Sequence, residues 1–287
     1  KQLGIKGNKK AFLQAIMKDS RFFFKNEKEL VDAFAKVRVQ LDKKMPQYFS
    51  LIPKTDFKIV RADNPEDASG TYRQPTELKP LGRFVYNATH IRAIPRSEVT
   101  TLLMHETNPG HHLQLALQYE MKDQLSEYRR KVYDSTAFVE GWALYSEFLG
   151  REMGMFKDPV QRLGNLNDEL LRAVRLVVDT GIHSMGWTHD QTVAYMKDHL
   201  ASDISDIEIE ANRYSVWPGQ ALAYKIGQLK IIELRNQAQK ELGKEFDIKG
   251  FHRAVVGNGT VSLDLLTDQV QTWVASVKTR LRKPASL

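Results

Sequence analysis

The sequence contains no cysteine. That excludes a disulfide framework, a thiolate nucleophile and thiolate metal ligands, so any metal site has to be built from histidine and carboxylate. Long apolar runs are also missing. No uncharged stretch approaches the roughly 20 residues that a membrane-spanning helix needs, and the residues after Lys1 do not read as a signal peptide. There is no internal repeat and no low-complexity linker. Basic residues concentrate only at residues 6–10 and 278–283, without interleaved stacking aromatics, so the formal charge of +7 does not describe a nucleic-acid face. What remains is 287 residues, 42% hydrophobic, enough for a large core. The chain reads as a single catalytic unit: a helical scaffold over residues 1–56, a small sheet region over 57–95 and a helical metal-site region over 96–287.

Histidines cluster in one place, Met104-His105-Glu106-Thr107-Asn108-Pro109-Gly110-His111-His112-Leu113-Gln114. Zinc takes imidazole nitrogen and carboxylate oxygen in a tetrahedral shell, and a catalytic site leaves the fourth position to water. A carboxylate beside the first histidine, here Glu106, then serves as general base. In the common H-E-x-x-H arrangement the second histidine follows at i+4. Here that slot is Pro109, which removes the hydrogen bond to the His105 carbonyl and collides with it, so the helix must bulge or kink, with Gly110 absorbing the distortion. On a regular helix His111 would lie off the face of His105, whereas His112 would return to it about 10 Å further along. A widened turn would bring His111 back; His105 and His111 are therefore the expected pair, with His112 as the contender.

A third ligand is available in Ala137-Phe138-Val139-Glu140-Gly141-Trp142-Ala143-Leu144-Tyr145-Ser146-Glu147, which is apolar almost all round. A carboxylate in such a segment is costly unless paired or bound to metal. Glu140 is the candidate, and Glu147, two turns later on the same face, is either its supporting partner or the ligand itself.

HETNPGHHLQ, VEGWALYSE and the later NRYSVWPGQALAYKIGQL together resemble a bacterial family known as domain of unknown function 885 (DUF885), grouped with gluzincin-type metallopeptidases, over residues 82–227. The resemblance implies a mainly α, multi-helical gluzincin-like fold with a thermolysin-like catalytic region and a small β-sheet. It implies Zn2+ held by His105, His111 and Glu140, with Glu106 as base. Gluzincins also place a His or Tyr donor against the reacting carbonyl, which points to His183 and Tyr224. Arg213, in the third motif, would then hold a substrate carboxylate. Family members are about twice this length, so the chain is expected to be the C-terminal half of a longer protein whose N-terminal half is a partner in the same molecule.

Taken in order, Asn8 caps a short helix with Phe12, Ile16 and Met17, and Asn26 with Glu29 starts a longer one ending before Pro46. Phe57-Lys58-Ile59-Val60 and Arg83-Phe84-Val85-Tyr86-Asn87 read as strands separated by a Pro- and Gly-rich stretch. In peptidases of this class an edge strand beside the zinc helix pairs with extended substrate, and residues 86–89 are the candidate edge. Pro95 and Ser97 start the zinc helix, and Asp134 or Ser135 caps the Glu140 helix. Asp158-Pro159 opens a long helix reaching residues 179–183. Thr188 with Gln191 and Ser205 with Glu208 read as capping boxes. Residues 246–256 and 263–281 are scaffold helices.

The expected activity is zinc-dependent hydrolysis of peptide bonds, on short peptides. The alternatives are a non-catalytic helical binding module or lipoprotein half, and a zinc hydrolase of a non-peptide amide. A signal ahead of Lys1 would make the protein periplasmic or a membrane-anchored lipoprotein; without one it would be cytoplasmic.

Overall fold

The computed structural model describes residues 19–65, 70–200 and 202–282. The helix expected after Asn8 lies outside them. The protein is mainly helical with one three-stranded sheet.

Helix α1 (Glu27–Tyr48) starts where Asn26 accepts a hydrogen bond from the Glu29 amide at 3.0 Å. It buries Leu30, Phe34, Val37, Leu41 and Met45, a three-to-four-residue stripe facing the core. The helix runs through Pro46 rather than ending before it. Proline costs one bond there, in the last turn, while buried Phe49 closes the end by donating its amide to the Met45 carbonyl.

Strands β1 (Phe57–Arg61), β2 (Gly70–Arg73) and β3 (Gly82–Tyr86) are ordered β1-β3-β2, with β1 parallel and β2 antiparallel to β3. The expected edge at residues 86–89 is therefore wrong. Tyr86 ends the central strand, pairing with Arg61 on one side and Gly70 on the other. The edge facing the histidine helix is β2, hidden in the stretch read as loop; its Gly70 has the Leu102 side chain against it. Phe84 packs edge-on against Phe34, joining the sheet to α1.

Helices α2 (Val99–Glu106), α3 (His111–Glu120) and α4 (Glu127–Lys131) lead to α5 (Thr136–Glu152). Then come α6 (Pro159–Met185), α7 (His189–His199), α8 (Ile204–Val216), α9 (Gln220–Leu242), α10 (Ile248–Val256) and α11 (Leu263–Arg282). Asp158 caps α6, and the Thr188–Gln191 capping box opens α7 as the sequence predicts. The box expected from Ser205 does not form: Asp203 is the cap of α8 and Ser205 lies inside the helix. One large core joins the sheet, α1, α2, α5 and α9 to the C-terminal helices; a second, smaller one lies between α6, α7 and α8.

Helices α5 and α9 approach each other backbone to backbone. A Cβ on Gly141 would lie 2.5 Å from the Gly227 backbone, and one on Gly227 would lie 1.8 Å from the Ala137 carbonyl oxygen. Backbone therefore meets backbone at this crossing, one residue after Glu140 on α5 and one turn after Tyr224 on α9.

Candidate metal centre

The helix carrying His105 does not widen at Pro109; it stops and a new one begins. Thr107 leaves helical geometry, with its amide and hydroxyl both bonded to the Leu103 carbonyl, and α3 restarts at His111. Trp142 donates from its indole nitrogen to the Pro109 carbonyl at 2.8 Å, pinning the connection to α5. At Gly110 a Cβ would lie 1.9 Å from the His105 carbonyl oxygen, so only glycine fits. The break places the His105 and His111 rings edge to face, 4.7 Å apart.

His112 turns away from them. Its Nδ1 is 2.8 Å from the Tyr72 hydroxyl, its ring packs on Phe57, and it bonds the Thr55 backbone. Burial lowers its pKa to about 4, which makes it a neutral core histidine.

Glu140 stands opposite the pair. Its Oε2 lies 3.4 Å from His105 Nε2 and 3.4 Å from His111 Nε2. Those separations are long for hydrogen bonds, yet two donors about 2.0–2.1 Å from one tetrahedral zinc stand about 3.4 Å apart. Glu140 Oε2 and His111 Nδ1 are buried without a hydrogen-bond partner. His105, Glu106 and His111 each offer a ligand atom within 4.8 Å of the others. The two groupings share both histidines and differ in the carboxylate. Glu140 meets both Nε2 atoms with one oxygen and suits a ligand, whereas Glu106 is held from outside by the Tyr72 backbone N–H of β2. The cluster can hold a metal ion, and its nitrogen and carboxylate donors fit zinc.

Supporting contacts fix the ring orientation. His105 Nδ1 lies 2.7 Å from Glu147 Oε1, which keeps a proton on Nδ1 and turns Nε2 inward. Glu147 is buried and also faces Arg172 at 3.5 Å, itself 3.3 Å from Asp168. Burial drives the His105 pKa down, but the Glu140 carboxylate facing it and the hydrogen bond to Glu147 outweigh it and raise it to about 10. The Glu140 pKa is raised by burial and pulled well below the usual range by the two histidines. Burial raises that of Glu106 against the opposing pull of His111 and His105.

Tyr224 stacks with His105 at 6.2 Å and 22°, and its hydroxyl accepts from Gln220 Nε2 at 3.2 Å. Burial and the nearby Glu140 charge raise its pKa, keeping it a proton donor. Arg213 is bonded to both Glu210 oxygens and to Gln220. His183 is a correction: its Nε2 lies 2.9 Å from the Tyr214 carbonyl oxygen on an exposed turn, and so is committed to the backbone rather than to the cluster. Sequence reasoning missed Tyr72, Arg172, Arg175 and Glu210. Arg172 and Arg175 interrupt the apolar stripe of α6 one turn apart, which was the available signal.

The family model described as a bacterial protein of unknown function, DUF885, matches residues 1–270. Among solved structures, the chain is similar to a "putative lipoprotein" from Colwellia psychrerythraea, with 36% identity and a TM-score of 0.91 over 96% of this chain and 48% of that one. It shares its fold with a "putative lipoprotein of unknown function" from Shewanella oneidensis at 24% identity and a TM-score of 0.75, over 93% of this chain and 50% of that one. The chain thus spans about half the length of both. No curated protein matches it.

Proposed function

The chain belongs to the DUF885 family of bacterial proteins of unknown function, and from that premise we propose that it is a zinc-dependent metallopeptidase acting on short peptides. The observation that carries the reading is the convergence of two Nε2 atoms on one orphaned carboxylate oxygen, with a second buried carboxylate alongside. Convergent unsatisfied donors are expensive to bury unless something joins them.

His105, His111 and Glu140 would hold the ion, and Glu147 would orient His105. When bound, zinc supplies Lewis acidity that polarises a scissile carbonyl and eases deprotonation of water. Glu106 takes the proton from the attacking water and returns it to the leaving nitrogen. The β2 amide of Tyr72 holds the base carboxylate in place. Tyr224 donates its hydroxyl proton toward the oxygen on which charge develops. Having no free Nε2, His183 takes no part in this scheme.

A second reading is a helical half that binds without turnover; the solved relative at 36% identity is named a putative lipoprotein, which fits either reading. The same centre would also serve a non-peptide amide hydrolase. The deciding experiment is zinc content by elemental mass spectrometry on dialysed protein, beside a peptide-library screen of the wild type and Glu106→Gln. About one zinc per chain with cleavage abolished by Glu106→Gln supports the peptidase. Zinc without cleavage of any peptide favours the binding reading, and no zinc at neutral pH removes the metal centre altogether.

A further inference from the structure

Two arginines share one carboxylate beside this centre. Arg175 on α6 donates from Nη2 to Glu210 Oε2 at 2.7 Å and from Nε to the Tyr214 hydroxyl at 2.7 Å. Arg213 on α8 donates from Nε and Nη2 to the two oxygens of the same Glu210, at 3.2 and 3.0 Å, and from Nη1 to Gln220 at 2.7 Å. Two guanidiniums on a single carboxylate leave a surplus positive charge, and the Arg175 side chain is buried. A structural ion pair needs only one of them, and burying a second cation at the same carboxylate costs desolvation without an equal return.

Donors are left over for a ligand. Arg175 Nη1 makes no hydrogen bond within the described residues. The Tyr224 hydroxyl accepts from Gln220, so its own proton is directed elsewhere. The Arg175 guanidinium lies 4.7 Å from the Tyr224 ring centroid, and that ring stacks with His105. One aromatic ring therefore separates the surplus charge from a histidine of the metal centre. Guanidinium recognises carboxylate through paired, coplanar hydrogen bonds, and water-poor surroundings strengthen them.

We propose that Arg175 and Arg213, preorganised by Glu210, form a subsite that receives a carboxylate of the peptide substrate. The inference rests on the peptidase reading and deepens it. The carboxylate comes either from a free C terminus, which makes the enzyme a carboxypeptidase in the broad sense, or from an acidic side chain.

The test is calorimetric titration of the Glu106→Gln chain, in which nothing is cleaved, with acetyl-Ala-Ala-Ala, its C-terminal amide and acetyl-Ala-Ala-Glu amide. The free acid should bind at least about tenfold tighter than the plain amide, as charge-assisted hydrogen bonds imply. Arg175→Lys and Arg213→Gln should each shrink that preference to within about threefold while changing affinity for the plain amide less than about twofold. A glutamyl amide that matches the plain amide identifies the C-terminal carboxylate as the ligand; one that matches the free acid identifies the side chain. Equal affinity for all three peptides, or no binding of any, overturns the proposal without reference to the variants. Failure of the peptidase reading looks different, since it appears as missing zinc or as turnover indifferent to Glu106→Gln. A chain that binds zinc and cleaves acids and amides equally well keeps the peptidase and loses this subsite.

Discussion

Helix α5 lies between two buried histidine clusters that share much of their chemistry and differ in how their histidines are paired. On one side Glu140 and Glu147 face His105 and His111. Tyr145, five residues from Glu140 and so about 140° around the helix, faces His252, with Arg235 and Glu152 completing that group. His105 and His252 are similarly buried, at 4% and 1% exposure. Every ring nitrogen of His252 is paired, with the Tyr145 hydroxyl at 2.8 Å and the Tyr48 carbonyl at 2.9 Å, and its ring stacks on Phe49. At the other cluster Glu140 Oε2 and His111 Nδ1 are left without partners. Burial of histidine is thus no sign of a metal site; what sets this cluster apart is two Nε2 atoms facing one carboxylate oxygen that neither hydrogen-bonds.

The comparison breaks most visibly in metal content. His105→Ala and Glu140→Ala should each reduce bound zinc from about one per chain to none by elemental analysis, whereas His252→Gln keeps the zinc and lowers urea stability by about 2 kcal/mol. Next in size is Glu106→Gln, for which peptide turnover should fall about a thousandfold, the usual scale of a lost general base, with zinc retained. Glu147→Gln sharpens the division further: it should weaken zinc affinity about 10- to 100-fold in chelator competition without removing a ligand.

The smallest effect is in acid stability. His252 has its pKa lowered by burial from 6.5 to about 3. Between those values the unfolded chain binds a proton that the folded chain refuses, so this contribution is complete above about pH 6.5 and lost progressively below it. Urea midpoints of metal-free protein should fall from pH 7 to pH 5, and less so in His252→Gln. Glu98 has the opposite sign, since burial and the charges of Asp168 and Asp206 raise it from 4.5 to about 8. Stability from that group declines as pH climbs from about 4.5 to about 8, and Glu98→Gln should remove that decline, leaving a higher urea midpoint at pH 8 relative to pH 5 than in the wild type.

The same distinction decides what the sequence could reveal. His105, Glu106 and Glu140 were legible because their types and surroundings are unusual in apolar helices. The choice between His111 and His112 was open, because it depends on how the chain turns at residues 107–110, and that turn is set by Trp142 holding the Pro109 carbonyl from another helix. Strands β1 and β3 show as apolar runs. Strand β2, Gly-Thr-Tyr-Arg, has no burial pattern of its own and exists through pairing with β3 and contact with α2. Arg213 stood out by its motif, and Glu210 lies one turn before it on α8, but Arg175 comes from α6 and no linear spacing joins it to that pair. Pro46 misled because a local rule met a helix with only one turn left to run.

The bare crossing of α5 and α9 sets the tolerance of the whole centre. Glu140 and Tyr224 flank a joint with no side chain in it, so their separation is gauged by peptide against peptide. No thinner spacer exists, and the smallest thicker one is a methyl group, about 1.5 Å of carbon–carbon bond. A displacement of about 1 Å can already cost a hundredfold in rate. The distance between the proposed ligand Glu140 and the proposed proton donor Tyr224 therefore has no fine adjustment at this joint: side-chain size can move it only in one direction, and the first available step is already too large.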